Sequence, residues 1–441
     1  MGQSSHVEAG LTTKHMGAHT SSGDGLTAFP SPPSAQKERI DSVDLLRGLV
    51  MVIMLLDHTR DFVHSDTWRF DPTDMSRTYP ALFFTRWITH FCAPIFVFLA
   101  GTGAYFQLVR GKSKAELSRF LITRGLWLIF LELTFIRMLA FWEFGITGFL
   151  GAMQVIWALG WSMILLAGLI HLPLRVTAAF GVLMIALHNA LDPIRIAPWQ
   201  GPGSPMPSIV EKLWIVLHQQ AAFPVAGPDG PVIFILYPLI PWLGVMAVGY
   251  AVGAVYDRAP EERRGWLLKW GTAITVGFLV LRASNLYGNP GDWSVQSSAL
   301  MTVVSFLNLQ KYPPSLLFLA MTLGPGLVLL GVWEKYNTPS PVGERRGIRR
   351  ALVTLGRVPL FFYLLQWPTA HGAGYLLTLL AGKDTGIFFG LPLPGQAPAD
   401  AGFDLWVVYA AWIAGVVVLY PLCRWFAGVK ARRNDWWLSY L

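Results

Sequence analysis

The segment DLLRGLVMVIMLLDHTRDF, residues 44–62, decides how the rest of the chain is interpreted. Most of it is an apolar run with the composition of a membrane helix. Its end places Asp57, His58, Arg60 and Asp61 within five residues. Charged side chains at the edge of a membrane helix are either anchors that face water or parts of a functional site. Both interpretations are open on this segment alone, and the rest of the chain has to decide between them.

Composition places the chain in the class of integral membrane proteins. Its 441 residues are 53% hydrophobic and 14% charged, with a mean hydropathy of +0.46. This apolar surplus is too large for a soluble protein and must face lipid. The net charge of +8 is spread between the apolar runs, which is typical of topology signals and not of a nucleic-acid surface. Cys92 and Cys423 both lie in apolar segments, which excludes a disulfide framework or a cysteine metal site, and no metal is expected.

The chain divides into two parts. Residues 1–40 are rich in Ser, Gly, Thr and His and lack apolar periodicity, so we expect a disordered cytoplasmic tail. The first long apolar run starts only near Leu45, and no small-residue cleavage site follows it, which argues against a signal peptide. Residues 41–441 form the membrane domain.

Ten apolar segments are long enough to cross a hydrocarbon core of about 30 Å. The fold predicted is therefore all-α, a polytopic membrane bundle of about ten transmembrane helices. Pro368 is expected to break the ninth segment. The segments are 44–63, 82–109, 118–141, 152–171, 174–190, 231–255, 265–284, 313–334, 351–381 and 403–427.

Basic residues alternate between the turns. The positive-inside rule then predicts that both termini are cytoplasmic. Two shorter apolar pieces, 208–220 and 297–309, are expected to be helices at the outer interface. The basic turns on the inner side contain Arg110, Lys112, Lys114, Arg119 and Arg124; Arg258, Arg263 and Arg264; Arg345, Arg346, Arg349 and Arg350; and Arg424, Lys430, Arg432 and Arg433.

This topology puts the histidines of the membrane domain mostly on the outer side. Histidine is the side chain best suited to exchange a proton near neutral pH, and ionisable groups in a membrane are functional candidates. For His188 and His218 the favoured interpretation is an interfacial histidine bonded to backbone or water. The histidines predicted on the outer side are His58, His64, His90, His188, His218 and His371, and His171 is predicted inside.

One face of the first span joins two charged ends. Asp44, Arg47, Met51, Met54 and His58 are spaced by three or four residues, which places them on one side of a helix. Arg47 and His58 are then roughly 16 Å apart. Asp61 follows His58 by three residues, within reach of one ring nitrogen, and would leave the other nitrogen as a base. In the second span Arg86 and His90 share a face at i and i+4.

Several blocks resemble a known family. They include RIDSVDLLRGLVMVIMLLDHTRDF (39–62), ITHFCAPIFVFLAGTGAY (88–105), QVIWALGWSMI (154–164), TLGRVPLFFYLLQ (354–366) and DWWLSYL (435–441). Over residues 38–441 the chain is similar to the bacterial branch of the heparan-alpha-glucosaminide N-acetyltransferase catalytic-domain family. The resemblance implies transfer of an acyl group, typically acetyl, from cytoplasmic acyl-CoA to an acceptor across the membrane. In the lysosomal relative the acceptor is the amine of a terminal glucosamine.

The chain departs from the family pattern at three places. His58 stands where the relative has an asparagine, ten residues after the glycine of the first block. No histidine keeps the spacing of the relative's next loop, and His64 and His90 are the candidates to replace it. Gln366 stands where relatives often have histidine, with His371 nearby. These departures leave the acceptor open.

The site predicted from both arguments has two ends. We expect Arg47, with Asp44, to hold the phosphates of acyl-CoA, and His58, Asp61, His90 and Arg86 to carry out the transfer. The acceptor, a sugar or glycan, would be bound by Asp57, His64, Arg282, Asn285, Lys311, Tyr312, Gln366 and His371.

Two alternatives stay open: a secondary transporter, and a non-catalytic membrane scaffold. The absence of visible repeats argues only mildly against a transporter. The family suggests a bacterial inner membrane, and the sequence does not decide whether the chain forms a homodimer.

Overall fold

The structure is a computed structural model that describes residues 40–145, 148–337, 347–389, 397–433 and 435–440. Residues 1–39 of the predicted tail lie outside the described residues. So do Arg345 and Arg346 of the third basic turn.

The described chain is mostly helical. Its α-helices are Asp41–Val63 (α1), Pro80–Ile88 (α2), Cys92–Val109 (α3), Lys114–Leu131 (α4), Arg137–Phe141 (α5), Val155–Leu169 (α6), Leu174–Leu187 (α7), Ile209–His218 (α8), Leu239–Gly253 (α9), Pro260–Ser284 (α10), Ala299–Leu307 (α11), Leu316–Trp333 (α12), Gly347–Gly356 (α13), Pro359–Leu380 (α14) and Leu405–Arg432 (α15).

Each of the ten predicted segments contains helix. Six helical stretches among the described residues are long and apolar enough to cross a membrane, and the chain is a multi-pass integral membrane protein. The number of ten spans and the cytoplasmic position of both termini stay predictions. The six stretches are Pro80–Val109, Leu174–Leu191, Leu239–Asp257, Pro260–Ser284, Leu316–Tyr336 and Leu405–Arg432.

The predicted break at Pro368 is wrong. Helix α14 continues through Pro368, and the ninth segment is interrupted instead between α13 and α14, just before Pro359. Proline at the start of a helix is tolerated because its missing N–H would have no partner there, and it disfavours helix in the residue before it. The second segment is also interrupted, by a 3₁₀ turn at Thr89–Phe91 between α2 and α3.

A small sheet was not predicted. Its strands Phe149–Met153 (β1), Ala221–Pro224 (β2) and Val232–Ile235 (β3) are arranged in the order β1-β3-β2. β1 is parallel to β3 and β2 is antiparallel to it. The start of the predicted span 231–255 is therefore strand, and its helix begins only at Leu239.

The two short segments predicted at the outer interface are helices α8 and α11. The start of α8 has a sequence signature, because Ser208 and Glu211 form a capping box.

Helices α1 and α13 are in backbone contact. A Cβ atom at Gly48 would lie 1.9 Å from the carbonyl oxygen of Leu352, and one at Gly356 would lie 1.9 Å from that of Asp44. Only glycine allows this approach. It brings the carbonyl of Gly356 to the side chain of Arg47, whose Nη1 donates to it at 3.2 Å.

Candidate active site

A large cavity of about 950 Å³ lies at the C-terminal end of α1. Its wall also includes the start of α3, the three-stranded sheet, the loop around Lys311 and the first half of α14. Aromatic side chains make up much of the wall. The charged and amide side chains in it are Asp57, His58, Arg60, Asp61, Asp71, Arg86, Gln154 and Lys311.

Asp57 is the centre of the charged group in this cavity. Its carboxylate accepts hydrogen bonds from Arg86 Nη1 at 2.7 and 2.9 Å and from the hydroxyl of Thr89 at 2.8 Å. Arg60 Nη1 lies 2.8 Å from Oδ1, and Lys311 Nζ lies 3.7 Å from Oδ2. The three cations keep the buried carboxylate ionised, and the carboxylate in turn holds the three cations in place along the wall.

Arg60 is a site residue that the sequence interpretation missed. It is 1% exposed, so the alternative of a solvated helix end is wrong for Arg60, and Asp57 is buried as well. Besides Asp57, Arg60 pairs with Asp61 through Nη2 at 2.5 Å. The spacing of three residues between Asp57 and Arg60 was a signal for this pair.

His58 lies in the cavity wall against Trp367, with ring centroids 3.8 Å apart. Its Nδ1 is 4.0 Å from Asp61 Oδ2, beyond hydrogen-bond distance, and has no hydrogen-bond partner among the described residues. Asp61 is therefore bonded to Arg60 rather than to His58. The close, tilted contact with the Trp367 ring, at an interplanar angle of 36°, is what holds the imidazole, and the sequence did not indicate it.

Asp71 adds a third carboxylate to the wall, from the loop before α2. Burial acts to raise its pKa, but the charge of Arg86 and two hydrogen bonds from Thr73 outweigh burial and hold the pKa below its usual value. Asp71 is thus ionised at neutral pH.

Two histidines proposed for the site lie elsewhere. His90 is buried against Phe318, with ring centroids 5.1 Å apart, and does not line the large cavity as far as the chain is described. His64 follows the last residue of α1 and has both ring nitrogens in use, Nδ1 donating to the carbonyl of Phe403 at 2.9 Å and Nε2 accepting from Tyr79 at 3.2 Å. Its role in the described structure is to join α1 to the start of α15.

Arg282 and Asn285 also have structural partners. The guanidinium of Arg282 donates to four backbone carbonyls, those of Gly291, Ser305, Phe306 and Asn308, at 2.7 to 3.1 Å. A cation at the C-terminal end of α11 satisfies carbonyls that the helix leaves free. Asn285 bonds both the N–H and the carbonyl of Trp293. Neither residue lines the large cavity within the described chain.

Gln366 and His371 lie in α14, and neither lines the large cavity among the described residues. Gln366 is fully buried, and His371 is sandwiched between Phe62 and Trp142, with ring centroids 4.6 and 4.3 Å away. Lys311 and Tyr312 are the predicted acceptor residues, besides Asp57, that the structure brings into the wall.

A small cavity of about 240 Å³ lies at the opposite end of α1. Arg47, Arg124 and Lys430 contribute cations to its wall, together with Gln107 and Ser439. Asp44 is buried beside it and pairs with Arg47 at 3.0 Å and with Arg357 at 3.5 Å. The ion pair expected at the start of the first span is therefore present, and Arg47 faces a cavity.

The two cavities meet at Phe96, which lines both. The sequence predicted that one face of α1 connects the two cavities. Arg47 and His58, near the two ends of this face, line the cavities. Met51 in the middle of the face is 0% exposed and packed in the core, so the face does not connect them. No three His, Cys, Asp or Glu side chains in the described chain are placed to hold a metal ion.

Comparison with known proteins identifies the family. Residues 39–285 match the family described as heparan-alpha-glucosaminide N-acetyltransferase, catalytic. This range includes Asp57, His58, Arg60 and Arg86, and ends before Lys311 and Trp367. No curated protein matches the chain. Because the match extends over more than half of the 441 residues, the chain belongs to the heparan-alpha-glucosaminide N-acetyltransferase catalytic-domain family.

Proposed function

We propose that the protein transfers an acyl group, in the first place acetyl, from cytoplasmic acetyl-CoA to an amine or hydroxyl of a sugar or glycan on the other side of the membrane. Family membership supports the acetyltransferase class and the donor. The observation that carries the proposal is the pair of cavities, one with cations and one with His58, that meet at Phe96. We place the protein in a bacterial inner membrane, with the small cavity on the cytoplasmic side.

The small cavity suits the head group of the donor. Arg47, Arg124 and Lys430 in its wall are the side chains that would attract the phosphates of acetyl-CoA. Asp44 and the carbonyl of Gly356 orient Arg47. The arm that carries the thioester would then point from this cavity toward Phe96.

In the large cavity His58 acts as the base. It takes the proton of the acceptor N–H or O–H while the acceptor's lone pair attacks the thioester carbonyl carbon. The C–S bond breaks, the acetyl group is bonded to the acceptor, and the CoA thiolate receives the proton from the imidazolium. Asp61, 4.0 Å from Nδ1, stabilises the imidazolium while it exists.

The charged group around Asp57 stabilises the oxyanion that forms on the thioester carbonyl. Arg86 and Lys311 are held by Asp57 and line the cavity, so their positive charges are fixed before the reaction begins. A sugar acceptor would contact Lys311, Tyr312 and the aromatic wall.

The test is incubation of the purified full-length protein with radiolabelled acetyl-CoA and a panel of amino sugars. We expect acetylated sugar and one free CoA thiol for each acetyl group transferred. A protein that moves a solute across vesicles and consumes no acetyl-CoA would be a transporter, and the proposal would be wrong.

A further inference from the structure

One face of α3 runs past both cavities. Cys92, Ala93 and Phe96 line the large cavity, and Phe96, Ala100, Gly103 and Gln107 line the small one. Ala93, Phe96, Ala100, Gly103 and Gln107 follow one another at steps of three or four residues, and Cys92 precedes Phe96 by four, so these positions share one side of the helix. From Cys92 to Gln107 the stripe is roughly 22 Å long. This face, and not the face of α1, connects the two ends of the site.

Among the described residues, Phe96 is the side chain that lines both cavities. Its neighbours on the stripe, Ala93 and Ala100, are small. Helix α6, which contacts α3, is divided between the cavities in the same way, since Val155 lines the large cavity and Ile156 the small one. Phe96 is half-buried, so its ring has room on the cavity sides.

We propose that the Phe96 ring is the barrier between donor and acceptor compartments, which admits the thioester and keeps water from following it. The inference rests on the proposed function. Without the barrier, water attacks the thioester carbonyl carbon, the C–S bond breaks, and the products are acetate and the CoA thiol, with the proton of water passing to the thiolate. Phe96 is thus a positioning residue that sets the ratio of transfer to hydrolysis.

The first experiment measures release of CoA from acetyl-CoA in the absence of any acceptor. We expect Phe96→Ala to raise this hydrolysis by about tenfold, and Phe96→Leu to restore much of the barrier. Phe106→Ala is the matched control, because Phe106 is half-buried on the same helix, packs on Tyr256 at a centroid distance of 5.2 Å and lines neither cavity in the described chain. An equal rise in Phe106→Ala would overturn the proposal, since general loosening of α3 would then explain it.

The second experiment does not depend on activity. The sequence has two cysteines, so a variant with Cys92→Ala, Cys423→Ala and Ala93→Cys carries a single thiol in the wall of the large cavity. A membrane-impermeant maleimide applied from the cytoplasmic side should label this thiol only when Phe96→Ala is added. The same reagent from the outer side should label the thiol in both proteins, which shows that it is reactive.

The two failures are distinguishable. Equal cytoplasmic labelling with and without Phe96→Ala overturns the barrier, whatever the enzyme does. If labelling depends on Phe96 but the protein cleaves no acetyl-CoA, the barrier is supported and the proposal that acetyl-CoA is the donor is wrong.

Discussion

Arg86 and Asp57, 29 residues apart in sequence, form a partly buried ion pair in which one guanidinium nitrogen lies 2.7 and 2.9 Å from the two carboxylate oxygens. The pair joins α2 to the last turns of α1 at the wall of the large cavity. Arg60 and Lys311 pair with the same carboxylate, so the negative charge of Asp57 holds three cations together.

Removal of the Asp57 charge is expected to destabilise the protein strongly. Asp57→Asn leaves three cations, two of them buried, without their carboxylate, and breaking a buried pair lowers the free energy of unfolding by about 3–5 kcal/mol. Thermal unfolding in detergent measures this change. Glu261→Gln is the control, since Glu261 and Arg264 form an exposed pair at 3.7 Å, and it should change stability little. Equal effects of the two substitutions would contradict the central role of Asp57.

His58→Ala is expected to lower the rate of acetyl transfer by about a thousandfold, the range of general-base catalysis. Expression and membrane insertion should be unchanged. His90→Gln is the informative comparison, because His90 lies against Phe318 and outside the cavity wall. If His90→Gln loses as much activity as His58→Ala, or if His58→Ala stays active, the base is assigned to the wrong residue.

A substitution at Gly103 tests whether the small cavity binds the donor. A Cβ atom at Gly103 meets nothing within 4 Å, and the residue lines the small cavity. Gly103→Leu should therefore fold normally and fill the space of the donor, which raises KM for acetyl-CoA at least about tenfold. Gly277→Leu, at a helical glycine that also has no atom within 4 Å and lines neither cavity in the described chain, is the matched control. Unchanged KM in Gly103→Leu would place the donor elsewhere.

We expect Arg282 to contribute to the stability of the fold and not to binding of the acceptor. Lysine cannot reach the four carbonyls that Arg282 satisfies, so Arg282→Lys should lower the free energy of unfolding by about 3 kcal/mol. Unfolding in denaturant measures it, and KM for the acceptor should not change. Altered acceptor preference at unchanged stability would instead support the acceptor role predicted from sequence.

We expect His64 to make the stability of the protein depend on pH. Burial lowers its pKa below the ordinary value of 6.5, although the carbonyl of Phe403 and the charge of Asp66 act to raise it. The unfolded chain then takes up the proton first, so the contribution of His64 is fully present above pH 6.5 and is lost as the pH falls toward the folded-state value. The drop in Tm between about pH 7.5 and about pH 5.5 should be smaller in His64→Gln than in the parent. An equal drop in both proteins would show that His64 is not responsible.

The sequence alone determined the class of the protein, the approximate position of its helices, and the first part of its candidate site. Hydropathy and helix spacing are local properties, and they were enough to place Asp57, His58 and Asp61 near one end of α1 and Arg47 near the other. The assignment of these two ends to a donor and an acceptor came from the family resemblance.

Only the tertiary structure decided which polar residues share a cavity. Arg282, His64, His90 and His371 have the same residue types and predicted depth as the site residues, yet backbone carbonyls or aromatic rings from distant segments surround them. The short sheet and the Phe96 junction depend on contacts between segments far apart in sequence, which no local pattern encodes. The connection along α3 instead of α1 was decided in the same way, because packing buried Met51 and left space beside Gly103.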